Sequence, residues 1–563
     1  MSIVPDLILP RGYEHRTPLP TYITSITSIT SNFHHLRGFV TPCGLPSPHA
    51  IGLPSALLAA TEFLLPEPAC VDLLIIGGGI NGVGIARDAA GRGLTVTLVE
   101  QSDLASGTSS ASTKLIHGGL RYLEFGEFRL VRESLQERER LLALAPHIIV
   151  PMQFVLPHAR GLRPRWQIRL GLFMYDHIGG RERLPASRSI DLSRSPHAAA
   201  LREELRHGFV YSDCWVDDSR LVILNAIDAA ERGATILTRT KFISASKDGA
   251  GWRALCEDAQ SATRFEIPAR VIVNVAGPWV QNVSEGVEGA RLETKVRLVK
   301  GSHIVVPRLF DGDTTAFLLQ QPDKRVVFAI PYEHDFTLIG TTDVAYAEDP
   351  ASAAISDPEV RYLCNATSLF FRRRIEPADV RWTYAGVRPL LDDASQEISK
   401  ITRDYRLELT RNEAGAPLLS VFGGKITTYR RLAEEALAKL RHALTMTGAD
   451  WTATAILPGG DLPRADFDEF AREVARRWPF LPSNVAHRLA RAYGTRVERI
   501  MGSSTDIAHL GEHLGAGLTE AELEYLRQVE WARTADDVLW RRTKLGLHMS
   551  AAERARLQSR MGQ

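Results

Sequence analysis

The amino-acid sequence predicts an α/β protein: a parallel-sheet domain interleaved with an α+β region on a mixed sheet, followed by a C-terminal helical domain. Three observations predict it. An apolar run from Val71 is followed by Gly77-Gly78-Gly79-Ile80-Asn81-Gly82, a helix-like stretch at 83–92, and a second apolar run at 94–99 that ends at Glu100. Further apolar runs near Val210, Ile236, Val271, Ile304, Val326 and Leu338 read as strands, several bounded by Gly or Pro turns. Beyond about residue 445, the stretches 466–478, 483–493, 519–533 and 551–560 carry helical spacing with many charges, joined through the turn Pro458-Gly459-Gly460-Asp461. The expected organisation is an extension at 1–70, an interleaved core at 71–445 whose second part takes in about 150–205 and 290–385, and a helical domain at 446–563.

Size and charge bound the rest. With 563 residues, 44% of them hydrophobic, two or three domains are expected. A formal net charge of +1 gives no reason to invoke nucleic acid. Cys43, Cys70, Cys214, Cys256 and Cys364 form no C-x-x-C pair or Cys/His cluster. That argues against a disulfide framework and a zinc site, and fits a reducing compartment. The longest apolar stretch, 51–65, is broken by Pro54 and Glu62, so any membrane contact is expected to be peripheral. Residues 1–70 are proline-rich, repeat Ile-Thr-Ser at 23–30, and lack a basic segment followed by an apolar one. They read as a disordered tail or a misassigned start, with Val71 at the first strand.

Gly77-x-Gly79-x-x-Gly82, between a strand and a helix, is a dinucleotide-binding turn of the Rossmann type. The first glycine makes the bend, the second lets backbone approach a pyrophosphate, and the third lets helix pack on strand. The amides and dipole of the helix start, Ile80 and Asn81 included, suit the phosphate charge. Glu100, 18 residues after Gly82, stands where an acid accepts hydrogen bonds from ribose hydroxyls. The unit alone does not separate NAD from FAD. Its position at the head of the folded part favours FAD, as does the later turn around Gly423, Gly424, Lys425 and Thr427 between a strand and a helix. The turn Ala276-Gly277-Pro278-Trp279 resembles the A-G-x-W turn of flavin oxidoreductases.

The stretch Ser109-Ser110-Ala111-Ser112-Thr113-Lys114-Leu115-Ile116-His117-Gly118-Gly119-Leu120-Arg121-Tyr122-Leu123-Glu124 resembles the flavin-facing segment of the aerobic, FAD-dependent glycerol-3-phosphate dehydrogenases. Similar matches are Gly171-Leu172-Phe173-Met174-Tyr175-Asp176, Tyr211-Ser212-Asp213-Cys214-Trp215, Lys300-Gly301-Ser302-His303, Ile339-Gly340-Thr341-Thr342-Asp343, Gly386-Val387-Arg388-Pro389-Leu390 and Ile401-Thr402-Arg403-Asp404-Tyr405. The likeness is dense from Val71 to about Gly460, thins beyond it, and returns at Thr534-Ala535-Asp536-Asp537-Val538-Leu539-Trp540-Arg541-Arg542-Thr543-Lys544. Residues 1–70 match nothing in the family's bacterial members. The resemblance implies a flavoprotein core with a helical cap, glycerol 3-phosphate as substrate, and ubiquinone or menaquinone as acceptor. It also implies peripheral attachment to the cytoplasmic face of the cell membrane, and it leaves a homodimer open.

Oxidising a secondary alcohol on a flavin requires the protein to grip the phosphate, orient the carbinol and take one proton. The positions matching the family's substrate site are Arg121, Tyr122, Arg388, Arg403 and Lys425, apt groups for a phosphate dianion. Lys425 has a second reading, as a cation beside the flavin ring. His303 and His117 are the candidate proton acceptors, His303 preferred. Cofactor contacts are expected from Gly77, Gly79, Ile80, Asn81, Gly82, Glu100, Ser110, Ser112, His117, Gly277, Gly424, Lys425 and Thr427. In the acid-rich segment 211–218, Arg220 is expected to pair with Asp217 or Asp218. Two basic, aromatic stretches, 163–173 and 358–374, are candidate membrane surfaces. The rival readings are an oxidase delivering electrons to oxygen, an amine or amino-acid oxidase on the same fold, and a flavin-binding protein without catalysis.

Overall fold

β1 (Val71–Ile76) lies in the middle of a sheet and pairs in parallel on both sides, with the strand Arg264–Asn274 and, beyond α1 (Ile80–Gly91), with β2 (Val96–Glu100). A strand paired on both edges and covered on both faces has no polar face to show, which accounts for its apolar run, broken only by Asp72 at the half-buried start. α1 and the helices Asp218–Glu231 and Tyr429–Leu440 share the core on one face. The hairpin Thr240–Asp248 and Gly251–Asp258, with buried Phe242 and Trp252, closes the other. The computed structural model describes residues 69–159, 163–392, 402–412 and 415–562, all within the compact unit Pro66–Gln563. The expectation for the extension therefore lies outside the described residues.

The path through the first sheet runs Tyr405–Arg411, Pro417–Gly423, Arg264–Asn274, β1, β2, Thr235–Thr238. The second sheet has ten strands and draws on two separate chain segments, Leu115–Ile116 to His207–Val216 and Val296–Pro307 to Trp382–Leu391. It is antiparallel apart from the parallel joint between Ile149–His158 and Thr315–Gln320. The chain thus crosses between the sheets repeatedly, and residues hundreds apart in sequence meet where the sheets face each other. All six strands expected from apolar runs are present.

The C-terminal part packs the helices Phe467–Arg477, Ser483–Tyr493, Glu520–Val529 and Ala551–Met561 around a separate core that includes Phe470, Leu489, Tyr493, Leu526 and Leu557. Asp466, Thr519 and Ser550 cap helix starts by accepting backbone N–H bonds three residues on. The helix expected to reach residue 533 stops at Val529, because the chain turns at Trp531 with φ +56°. This is the α/β architecture with a helical C-terminal domain that the sequence predicts.

Two expectations are corrected. In the stretch 358–374 the helix is Asp357–Ser368, and Phe370 and Phe371 are 3% and 1% exposed, in the core. The three arginines at its end are paired: Arg372 with Glu203, Arg373 with Asp379, Arg374 with Glu376. Phe370 and Phe371 are therefore not available to a membrane. Arg220 pairs not with its neighbours but with Glu530 of the C-terminal domain, while Lys114 takes Asp218 and Lys544 takes Asp217.

Candidate active site

The glycine turn at the head of α1 is shaped by close approach. Gly77 has φ +121°, and a Cβ there would stand 2.6 Å from the Val275 carbonyl oxygen; a Cβ on Gly82 would run into the Gly77 carbonyl. Gly79 faces the Ser109 hydroxyl, which accepts from Ile80 N at 3.0 Å. Ser109 thus stands at the anion end of the helix, a role its place in the sequence did not single out. Glu100 accepts from Gly78 N at 2.7 Å and Ser102 N at 2.8 Å, so its carboxylate lies against the turn. Asn81 donates to Gly423 O at 3.3 Å, and Gly424, with φ +95°, packs on Asn81. The two glycine turns therefore meet, as a cofactor held by two chain segments requires. Gly277, with φ +56°, opens the helical turn after the strand Arg264–Asn274.

Ser110 and Ser112 lie in the segment that crosses from one sheet to the other. The Ser110 carbonyl accepts from Lys114 Nζ at 3.0 Å, and the Ser112 hydroxyl donates to Asp218 at 2.7 Å. The Ser112 hydroxyl is thereby committed to a buried charge network. His117 N bonds to Thr427 Oγ1 at 3.3 Å, joining this segment to the Lys425 turn. Burial, with Lys425 and Arg138 nearby, lowers the His117 ring to about 3, so it is neutral.

The expected phosphate ligands converge. Lys425 Nζ sits 3.9 Å from the centre of the Tyr122 ring. The Tyr122 hydroxyl lies in the field of Arg403, Arg388, Asp343 and Arg121, and burial raises its pKa. Arg388 binds Asp343 at 2.6 Å and Thr341 at 3.0 Å, and Arg403 approaches the same Asp343 oxygen at 3.7 Å. Arg121 lies 5.8 Å over the Phe125 ring at the rim. Asp343 balances two arginines. Its sequence neighbourhood does not mark it for this role, because only sheet register brings Asp343 beside Arg388.

His303 is fully buried on the strand Val296–Pro307. The register sets it opposite Tyr384 on one neighbour and Gly340 on the other. Its ring stacks on Tyr384 at 4.7 Å and lies across Gly340, whose missing side chain leaves the room. Nε2 is 3.0 Å from Thr113 Oγ1, while Nδ1 has no partner among the described residues. Burial, then Arg388 and Lys114, hold His303 well below the ordinary histidine range. Gly301, on the same face two residues back, lies under the Arg388 guanidinium. Buried polar atoms without partners among the described residues, Asn81 Oδ1, His303 Nδ1, Arg403 Nη1 and Lys425 Nζ, are spread from the glycine turns to the second sheet. They fit a polar cofactor with a substrate at its far end.

A dinucleotide-binding turn at the carboxyl end of the central strand β1, met by a second glycine turn and faced by a second sheet, is the arrangement of an FAD-dependent oxidoreductase. Residues 72–430 match the model of the FAD dependent oxidoreductase family, and residues 451–559 match the C-terminal domain of alpha-glycerophosphate oxidase. The chain belongs to the FAD dependent oxidoreductase family, and FAD is its cofactor. It is 51% identical over 491 residues to the D-erythritol 1-phosphate dehydrogenase of Brucella abortus, covering 87% of this chain and 97% of that one. It is 49% identical over 488 residues to the aerobic glycerol-3-phosphate dehydrogenase of Escherichia coli K12, covering 86% and 96%. The glycerol-3-phosphate dehydrogenase from Bacillus halodurans, solved in complex with FAD, superposes with a TM-score of 0.67 at 29% identity, over 88% of this chain and 94% of that one. The family resemblance read from the motifs therefore holds.

Proposed function

We propose that the chain oxidises sn-glycerol 3-phosphate to dihydroxyacetone phosphate and passes the electrons to a quinone at the cytoplasmic face of the cell membrane. The observation that carries this reading is the convergence of Arg121, Arg388, Arg403 and Lys425 around Tyr122, with His303 on the strand beside Arg388. Bound FAD supplies a hydride acceptor at its N5 position. Arg388, Arg403 and Lys425 grip the phosphate dianion, and Tyr122 donates its hydroxyl. Arg121 closes the rim. His303, neutral in this setting, takes the carbinol proton at Nδ1 while Thr113 holds Nε2. His117, tied to Thr427 through its backbone, suits a place against the flavin better than a base.

The helix Arg165–Ile178 supports the membrane side of the proposal. Trp166, Leu170 and Phe173 are 69%, 49% and 52% exposed and share one face. Arg163, just before this helix, is paired to Glu124 at 2.6 Å, and Phe125 and Phe128, both exposed, follow Glu124 in the chain. Phe125 lies under Arg121. An apolar surface next to the substrate cations suits a quinone arriving from lipid. Among the described residues, no helix is long and apolar enough to cross a membrane.

The Brucella relative supports a second reading, a longer polyol phosphate such as D-erythritol 1-phosphate, gripped by the same cations. Anaerobic titration of the holoenzyme decides. Loss of the flavin band at about 450 nm is expected with glycerol 3-phosphate and not with glycerol. Stronger bleaching by D-erythritol 1-phosphate would select the second reading. Oxygen uptake without quinone would select an oxidase, and equal bleaching by unphosphorylated glycerol would remove the phosphate grip altogether.

A further inference from the structure

The stretch 534–544 takes no part in the proposed reaction. It forms the π-helical turn Asp537–Arg542, followed by Thr543 and Lys544, and its cations reach the cofactor half of the molecule at two points. At the first, Asp103 is 1% exposed and accepts from both terminal nitrogens of Arg542, at 2.8 Å each, and from Arg541 Nε. Asp103 lies three residues beyond Glu100, on a loop that folds back on the glycine turn. Ala105 N donates to Gly78 O at 3.1 Å, and Leu104 packs where a side chain at Gly78 would stand. At the second, Lys544 Nζ reaches Asp217 at 3.4 Å and Ser219. Asp217 caps the helix Asp218–Glu231, and Asp218 holds Lys114 at 2.8 Å and Ser112 at 2.7 Å. The segment that crosses toward the flavin is thereby tied to the same helix end.

These charges are matched and out of water: Arg542 and Asp218 are fully buried, and Lys544 is 2% exposed. Removing one partner of such a set leaves another charge buried and uncompensated. The geometry points to a clasp: residues 537–544 hold the loop at Asp103 and the flavin-facing segment in their cofactor-binding positions, so FAD retention depends on an element of the C-terminal domain. The inference rests on placing the dinucleotide at the Gly77–Gly82 turn.

The test uses full-length holoenzyme carrying Arg542→Gln, Lys544→Met or Asp103→Asn. FAD release on dilution is followed by flavin fluorescence, and melting is followed with and without added FAD. The clasp predicts release faster by about tenfold or more, and a melting temperature that recovers toward wild type as FAD is added. In FAD-saturated enzyme, KM for glycerol 3-phosphate stays within about twofold. Should Arg542→Gln fail to fold, Arg541→Gln removes only one of the three bonds to Asp103 and reads the same quantities. Variants that melt lower yet release FAD at the wild-type rate overturn the clasp and leave an ordinary domain contact. A Gly79→Val protein that keeps its FAD would instead overturn the placement of the dinucleotide, and the clasp with it.

Discussion

Lys425 carries its charge in an unfavourable place. Its Nζ is buried, finds no hydrogen-bond partner among the described residues, and rests on the Tyr122 ring. Burial lowers its pKa to about 7, with Asp404 pulling up and Arg403 pushing down. If Lys425 grips the phosphate as proposed, the dianion favours the protonated lysine, and the charged form is the binding form. As pH rises through about 7 the free enzyme loses that proton, and binding must restore it. KM for glycerol 3-phosphate should then climb with pH, by up to about tenfold per unit, and Lys425→Met should flatten the climb while raising KM throughout. A KM independent of pH between 7 and 8.5 in the wild type would move Lys425 from the phosphate to the flavin. The cations themselves were legible in the sequence, as residue types in motifs. Their partners were not: Asp343 beside Arg388 and Thr113 beside His303 are consequences of sheet register and chain crossing, which no local pattern encodes.

The strand Val296–Pro307 shows how an element positions chemistry. Side chains two apart share a face, so Gly301 and His303 look the same way. The neighbouring strand Trp382–Leu391 sets Tyr384 opposite His303, and Arg388 folds over Gly301. The third member is Gly340, whose bare Cα lets the His303 ring lie flat across it. Gly340→Ala puts a methyl into the imidazole and must displace it. We expect kcat to fall by about 10²-fold with FAD content unchanged, since Gly340 lies away from the glycine turns. A variant of normal kcat would show that the ring position does not matter to the chemistry. Strand existence and the βαβ unit were readable because burial on both faces imposes an apolar run. The shortened helix Glu520–Val529 and the buried Phe370 and Phe371 were not. A turn at Trp531 and a core contact both depend on what packs alongside.

For the whole molecule, the proposed quinone acceptor calls for a surface that meets lipid. The aromatic face of the helix Arg165–Ile178 has no described cover, and it adjoins the rim where Arg121 and Phe125 sit. Each exposed Trp or Phe contributes about 1.5–3 kcal/mol when it leaves water. Trp166→Glu with Phe173→Glu should lower binding to anionic lipid vesicles by about tenfold or more, with dye-linked turnover intact. Unchanged vesicle binding would assign the face to another partner. The sequence marks residues 163–173 for cations and aromatics together; Arg163 and Arg169 are engaged with Glu124 and Ser187, which leaves the aromatic face as the exposed feature.

The alternation of the chain between its two sheets also governs how the enzyme comes into being. The Pro417–Gly423 strand of the first sheet follows, in the chain, the residues 296–391 that supply strands to the other sheet, and it brings Gly423 to Asn81 beside the first glycine turn. A growing polypeptide on the ribosome holds the first glycine turn early but lacks the second until some 340 residues later. Neither half of the sequence, made alone, holds a whole nest for flavin, so loading belongs to the finished chain.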